Sequence, residues 1–129
     1  MRKINILWAE ENEATAMALS GILKNKVDHL DIVNNAKAVL KKYLIAHYDL
    51  ILINTWMEDS LELICKIREH EASQNIKFTP MVGIFSDWEQ DKNLLIFAQQ
   101  KYLLAGMSET YTQALTKKDI DDILKKYVF

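Results

Sequence analysis

Apolar and polar residues follow two different periods along this chain. Short apolar runs, typical of buried strands, occur at five places: Ile4–Ala9, His29–Asn34, Leu50–Asn54, Pro80–Phe85 and the more polar Glu109–Ala114. Between them, apolar residues recur every three or four positions, which indicates helices. The predicted helices span Glu13–Asn25, Ala36–His47, Leu61–His70, Gln90–Leu104 and Thr116–Val128, with Thr116 as the N-cap of the last.

This order of elements predicts the fold class. Five repeats of strand then helix indicate a parallel sheet that is covered by helices on both faces. Right-handed crossovers leave a doubly wound, open five-stranded α/β sheet as the simplest topology, formed by a single domain over residues 1–129. Ligands of such sheets bind at the carboxyl ends of the strands. Residues that follow or end a strand there include Glu10, Glu11, Asn54, Phe85 and Ser86.

Composition narrows the classes of function. The net charge of −2 and the pI near 5.9 argue against direct nucleic-acid binding, which usually requires a basic surface. The single cysteine, Cys65, follows Leu63 and Ile64, so we expect a buried thiol and a reducing, cytoplasmic location. No apolar run approaches the roughly 20 residues that span a bilayer, so no membrane segment is predicted.

The sequence offers no motif for a cofactor or for catalysis. Its three glycines are not clustered, which excludes the dinucleotide fingerprint and the phosphate-binding loop. The three histidines, His29, His47 and His70, are too widely spaced to predict a zinc site. No nucleophile–base pair stands out. We therefore expect neither enzymatic activity nor a bound cofactor.

Four segments resemble the receiver domain of two-component response regulators, whose fold is flavodoxin-like. "ILWAEENE" (6–13) resembles its first strand and acidic pair, and "YDLILINTWM" (48–57) its third strand. "SLELICKIRE" (60–69) and "AGMSETYTQALTKKDIDDILKKY" (105–127) resemble its third helix and its closing segment. The likeness extends from Lys3 to Tyr127. It implies a receiver fold and a role in signal transduction.

The resemblance also assigns positions of the family's phosphorylation site. The acidic pair falls on Glu10 and Glu11, and the phosphate-accepting aspartate falls on Asn54. The remaining positions, which are the switch hydroxyl, its aromatic partner and the conserved-type lysine, fall on Phe85 (or Ser86, one place later), Thr110 and Gln113. Three positions that carry the chemistry are therefore substituted together.

These substitutions change what the site can do. The amide of Asn54 cannot form an acyl phosphate, and Gln113 brings no charge to a phosphoryl group. Glu10 and Glu11 could supply two carboxylates to Mg²⁺, but we expect weak or absent binding, because the third ligand would be a neutral carbonyl. If Phe85 occupies the switch position, we expect it to fill the space and hold one conformation.

The sequence therefore predicts a pseudo-receiver that acts in phosphorelay-type signalling through protein contacts and without phosphorylation. By analogy with the family, the contact face is the fourth helix, fifth strand and fifth helix, and the partner is another signalling protein or a second copy. Two alternatives stay open. One is an unconventional receiver phosphorylated at another acid, such as Asp59 or Asp87, and the other is a small flavodoxin-like ligand-binding module. Trp56 and Trp88 are interpreted either as a partner-binding surface or as caps on the core.

Overall fold

Ten elements alternate along the chain in the computed structural model, which describes residues 3–86 and 91–129. The strands are β1 (Asn5–Ala9), β2 (His29–Val33), β3 (Leu50–Asn54), β4 (Met81–Phe85) and β5 (Glu109–Thr112). The helices are α1 (Glu13–Leu23), α2 (Ala36–Ile45), α3 (Ser60–Gln74), α4 (Lys92–Ala105) and α5 (Lys117–Tyr127). All strand pairs are parallel, and the order across the sheet is β2-β1-β3-β4-β5. The predicted doubly wound fold is confirmed.

The central strands place side chains on both faces of the sheet, because successive residues of a strand point in opposite directions. Leu50 and Leu52 of β3 pack with α1 and α5, whereas Ile51 and Ile53 pack with α2 and α3. Trp8 is fully buried on the α1–α5 side, as its place in the first strand predicts. The two cores explain why β3 is an uninterrupted apolar run.

Side chains that accept from backbone N–H groups fix the starts of four helices. Asn12, Asn35 and Asp91 accept from the first turns of α1, α2 and α4. Thr116 forms a capping box with Asp119 at the start of α5, as its predicted role as N-cap requires. Because Asn12 follows β1 by three residues, its cap brings the first turn of α1 close to the carboxyl edge of the sheet.

Three sequence expectations need correction. Helix α3 continues to Gln74 instead of ending at His70, because Glu71 is buried in an ion pair and does not mark a solvent-facing end. Strand β5 ends at Thr112, so Gln113 and Ala114 belong to the following loop. The thiol residue Cys65 is partly exposed and not buried. None of the described helices is both long enough and apolar enough to cross a membrane.

Candidate functional site

The carboxyl edge of the sheet brings together most of the residues that the sequence singles out. A cavity of about 310 Å³ opens there, between the ends of β3 and β4 and the start of α1. Its lining comprises Glu11, Asn12, Thr15, Asn54, Trp56, Ser86 and Gln113. Of these described residues, Glu11 is the one with a formal charge. Phe85 and Thr110 are not part of this described lining, and Asp87 and Trp88 lie outside the described residues.

Glu10 and Glu11 have different surroundings although they are adjacent. The backbone N–H of Glu10 donates to the Val33 carbonyl at 2.9 Å, which continues the β1–β2 pairing and turns the Glu10 side chain into the protein. Glu10 is 2% exposed, whereas Glu11 is exposed at the wall of the cavity. The acidic pair therefore consists of one buried and one solvated carboxylate.

Asn54 is held by two hydrogen bonds that fix the orientation of its amide. Its Nδ2 donates to Oε2 of Glu10 at 2.6 Å, and its Oδ1 accepts from the backbone N–H of Trp56 at 2.9 Å. A carboxylate can only accept and a backbone N–H can only donate, so the reverse orientation would lose both bonds. The amide nitrogen of Asn54 thus faces the buried carboxylate.

This arrangement does not fit Mg²⁺, the ion that receiver sites imply. Magnesium requires hard oxygen ligands in near-ideal octahedral geometry. Here the Asn54 side chain directs a donor toward Glu10, and its own oxygen is already bonded to Trp56. Within residues 3–86 and 91–129, no group of three or more carboxylate, histidine or cysteine side chains is placed to hold a metal. The described side chains at this edge therefore do not form a magnesium site.

Gln113 stands in the loop after β5 and closes the site from the α5 side. Its backbone N–H donates to the Phe85 carbonyl at 2.7 Å, which extends the β4–β5 pairing by one residue. The half-buried side chain lines the 310 Å³ cavity. A neutral amide at this position can donate hydrogen bonds but cannot compensate the charge of a phosphoryl group.

Phe85 and Ser86 point to different sides at the end of β4. The Phe85 ring is buried and meets the Tyr102 ring of α4 edge to face, with centroids 5.3 Å apart. Ser86 lines the 310 Å³ cavity. Of these two residues, Ser86 therefore lines the cavity, and the Phe85 side chain belongs to the interface with α4.

Tyr102 is a residue of this region that the sequence did not single out as functional. Its hydroxyl is 2.6 Å from Oγ of Ser60 and donates to the Thr55 carbonyl at 3.2 Å. These bonds connect α4 to the loop between β3 and α3. The signal in the sequence was a phenol within the apolar stripe of α4, because a buried hydroxyl normally requires a partner.

No family model matches the chain, so the comparison with known proteins rests on individual sequences and structures. The aerobic respiration control sensor protein ArcB of Escherichia coli K12 is 22% identical over 126 residues, which are 96% of this chain. The chain spans about 15% of the length of that relative.

Two solved structures illustrate the structural likeness. The receiver domain of Ssk1 from Saccharomyces cerevisiae, solved with the histidine phosphotransfer protein Ypd1, has a TM-score of 0.81 at 18% identity. The aligned region covers 97% of this chain and 88% of the matched chain in that structure. The receiver domain of the sensor histidine kinase PA1611 from Pseudomonas aeruginosa, solved with magnesium in its active-site cleft, has a TM-score of 0.77 at 17% identity over 98% of both chains. The predicted resemblance to receiver domains is confirmed at the level of the fold.

Proposed function

We propose that this chain is a pseudo-receiver of two-component-type signalling, which acts in the cytoplasm through protein–protein contacts and without phosphorylation at position 54. One observation carries the proposal. The side chain at the strand end where a receiver accepts phosphate is an amide, and its nitrogen is hydrogen-bonded to Glu10. An amide has no anionic oxygen to attack a phosphodonor. The site therefore lacks the nucleophile that phosphoryl transfer requires.

The charges around Asn54 support the same conclusion. Receiver-type transfer would need a cation on the incoming phosphoryl group. Among the described residues that line the 310 Å³ cavity, none is a lysine or an arginine, and Glu11 adds a negative charge. A phosphoryl group would thus meet a carboxylate and neutral amides.

The contacts of Phe85 and Tyr102 support a fixed conformation. A receiver-type switch needs an element with two arrangements that phosphorylation biases. Here Phe85 is packed against the Tyr102 ring, and the Tyr102 hydroxyl is bonded to the β3–α3 loop. Moving Phe85 toward the cavity would require these contacts to break.

The contact face that we propose is centred on α4, with β5 and α5 beside it. Described residues of α4 include none that is fully buried, and several large apolar ones are exposed: Leu94, Ile96, Phe97, Leu103 and Leu104. Phe97 is 67% and Leu104 is 89% exposed. A cluster of this kind on one helix is typical of a protein-binding surface. The partner is another signalling protein or a second copy of the chain.

The first experiment tests for phosphorylation directly. The protein is incubated with Mg²⁺ and acetyl phosphate, and its intact mass is measured beside a receiver domain that has aspartate at the acceptor position. We expect no mass gain, whereas the control gains one phosphoryl group. A stoichiometric, hydroxylamine-labile gain would contradict the proposal, since it would mean that another carboxylate, such as Asp59, accepts phosphate.

A second experiment tests the contact face. Phe97→Ser and Leu104→Ser remove exposed apolar side chains, so we expect them to abolish partner binding while the melting temperature stays within a few degrees. Sedimentation velocity over a hundredfold concentration range shows whether the partner is a second copy. Met17→Ser on α1, also an exposed apolar position, is the matched control. Equal effects of all three variants would remove the case for α4.

A further inference from the structure

A second cavity lies beside the first one and is of a different kind. It has a volume of about 340 Å³ and lies between α1 and the loop that joins β5 to α5. Thr15 and Gln113 line both cavities, so the two are neighbours. Most of the wall is apolar: Ala14, Ala18, Leu19, Ile84 and Leu115. The volume is at the small end of the range of about 300–1,000 Å³ that is usual for ligand pockets.

The polar group that distinguishes this cavity is the carboxylate of Glu10. Glu10 lines the 340 Å³ cavity and is 98% buried. Its Oε2 accepts from Asn54 and from the backbone N–H of Asn12, at 2.6 and 3.2 Å. Its Oε1 is also buried, and this oxygen and Nε1 of Trp8, two residues earlier along the chain, have no hydrogen-bond partner among the described residues. Buried polar atoms are nearly always paired, so the Glu10 carboxylate has an oxygen that can accept from one further donor.

The chemistry of that donor follows from charge. Among the described residues that line the 340 Å³ cavity, Glu10 is the one with a formal charge. Glu11 lines the neighbouring 310 Å³ cavity. No lysine, arginine or histidine belongs to either described lining. A buried carboxylate without a cation attracts a positively charged donor far more strongly than a neutral one.

The apolar walls define the rest of the ligand. A bare metal ion would need several oxygen ligands, which the alanine and leucine side chains cannot provide. A hydrocarbon group, in contrast, would gain by leaving water for this surface. We propose that the cleft between α1 and the β5–α5 loop binds a small organic ammonium compound, whose N–H donates to the Glu10 carboxylate and whose hydrocarbon part packs against Ala18, Leu19 and Leu115. This inference does not depend on the signalling role proposed above.

The test uses benzylammonium as the probe and benzyl alcohol as its neutral counterpart of similar shape. Titration is followed by ¹H–¹⁵N NMR of the natural sequence, with the amides of Ala18, Leu19 and Leu115 as reporters. We expect saturable shifts with benzylammonium in the millimolar range and at least about tenfold weaker binding of benzyl alcohol, because a charge-assisted hydrogen bond is roughly twice as strong as a neutral one. Equal affinities for the two compounds would contradict the proposal.

Two variants with matched controls test the assigned residues. Glu10→Gln removes the charge, and we expect about a tenfold loss of affinity, whereas Glu11→Gln changes affinity less than about twofold. Ala18→Leu narrows the cavity without touching Glu10 and is expected to weaken binding similarly, while Met17→Leu, at an exposed neighbouring position, has no effect. If Glu10→Gln binds like the natural sequence, or if 20 mM benzylammonium shifts none of the reporter amides, the cavity holds only water and the proposal is wrong.

Discussion

Two glutamates are buried among the described residues, Glu10 and Glu71, and their hydrogen-bond partners and nearby charges differ. Glu71 of α3 is 0% exposed, and both of its oxygens are bonded. Its Oε2 accepts from the Tyr43 hydroxyl and the Thr79 N–H, each at 2.8 Å, and its Oε1 accepts from Nη1 of Arg68 at 2.6 Å. In Glu10, Oε2 accepts from two neutral donors, Asn54 and the Asn12 N–H, whereas no described residue donates to Oε1.

The comparison distinguishes a structural charge from one available to a ligand. Arg68 also donates to the Gly106 and Thr79 carbonyls, so the Glu71 group connects α3 with the α3–β4 loop and with the α4–β5 loop. That network is complete within the protein. The Glu10 carboxylate, at the other end of the sheet, is incomplete within the described residues and borders a cavity. Burial alone therefore says little about the role of a charged side chain, whereas the set of its partners says much.

The largest expected effect comes from breaking the complete network. Glu71→Ala leaves the mostly buried Arg68 guanidinium without its counter-charge, and removing one partner of such a pair typically costs about 3–5 kcal/mol. We expect a loss of this size in the free energy of unfolding, measured by urea denaturation. Glu69→Ala, an exposed position on the same helix, is the control and should change it by less than about 0.5 kcal/mol. A loss below about 1 kcal/mol at Glu71 would mean that the network contributes little.

The next effect concerns the substituted acceptor position. Asn54→Asp would bring a second carboxylate to within hydrogen-bond distance of Glu10, where two negative charges repel and the Asn54 donor is lost. We expect a loss of about 2–3 kcal/mol at pH 8. Protonation of either carboxyl would relieve the repulsion, so we expect part of the loss to be recovered as the pH is lowered. Thermal unfolding as a function of pH is the measurement.

A double-mutant cycle locates the cause of that loss. In the Glu10→Gln background, Asn54→Asp should cost less, because the repelling charge is absent. A loss that is independent of both pH and residue 10 would show that the Asn54 amide acts through Trp56 alone, to whose N–H its oxygen is bonded.

A smaller effect is expected from removing the hydroxyl of Tyr43, which donates to the Glu71 carboxylate. Burial, together with the hydrogen bond to the Glu71 carboxylate, raises the pKa of Tyr43 to about 12. Tyr43→Phe should cost about 1.5 kcal/mol at pH 7, the range for a hydrogen bond to a charged group. The unfolded phenol has a pKa near 10, so the stability that Tyr43 adds is complete below pH 10 and is lost as the pH rises toward 12. The gap between the two proteins should narrow over that window, and a constant gap in urea denaturation would contradict this.

The sequence could predict the local features of this domain, but not those that depend on contacts between residues distant in sequence. The elements and their order were predictable because period and strand length are local properties, and β3, buried on both faces, shows this most clearly. The corrected end of α3 shows the limit. A glutamate is usually solvent-facing, and only the contacts of Glu71 with Arg68, Tyr43 and Thr79 explain why it is buried.

At the candidate site, the sequence predicted several of the residues that gather but not how they pair, and the predicted Phe85 and Thr110 line neither described cavity. Glu10, Glu11, Asn54, Ser86 and Gln113 do meet at the carboxyl edge, because parallel strands end there together. The turn of Phe85 toward Tyr102 depends on where α4 packs, which is set by contacts distant in sequence. The division of the acidic pair into a buried and an exposed member likewise depends on the α1 start and on Asn54.

The smallest expected effect is the most direct test of the comparison, because it places the same substitution at both glutamates. Glu71→Gln removes the charge opposite Arg68 and should cost about 3 kcal/mol in urea denaturation. Glu10→Gln keeps an oxygen that can accept from Asn54 but loses the charge that strengthens this bond. It also removes a buried charge that no described cation pairs with, so the two effects oppose each other. We expect its free energy of unfolding to stay within about 1 kcal/mol of that of the natural sequence. Equal losses at both positions would mean that the charge of Glu10 is as necessary to the fold as that of Glu71, and the distinction between a structural and an available carboxylate would fail.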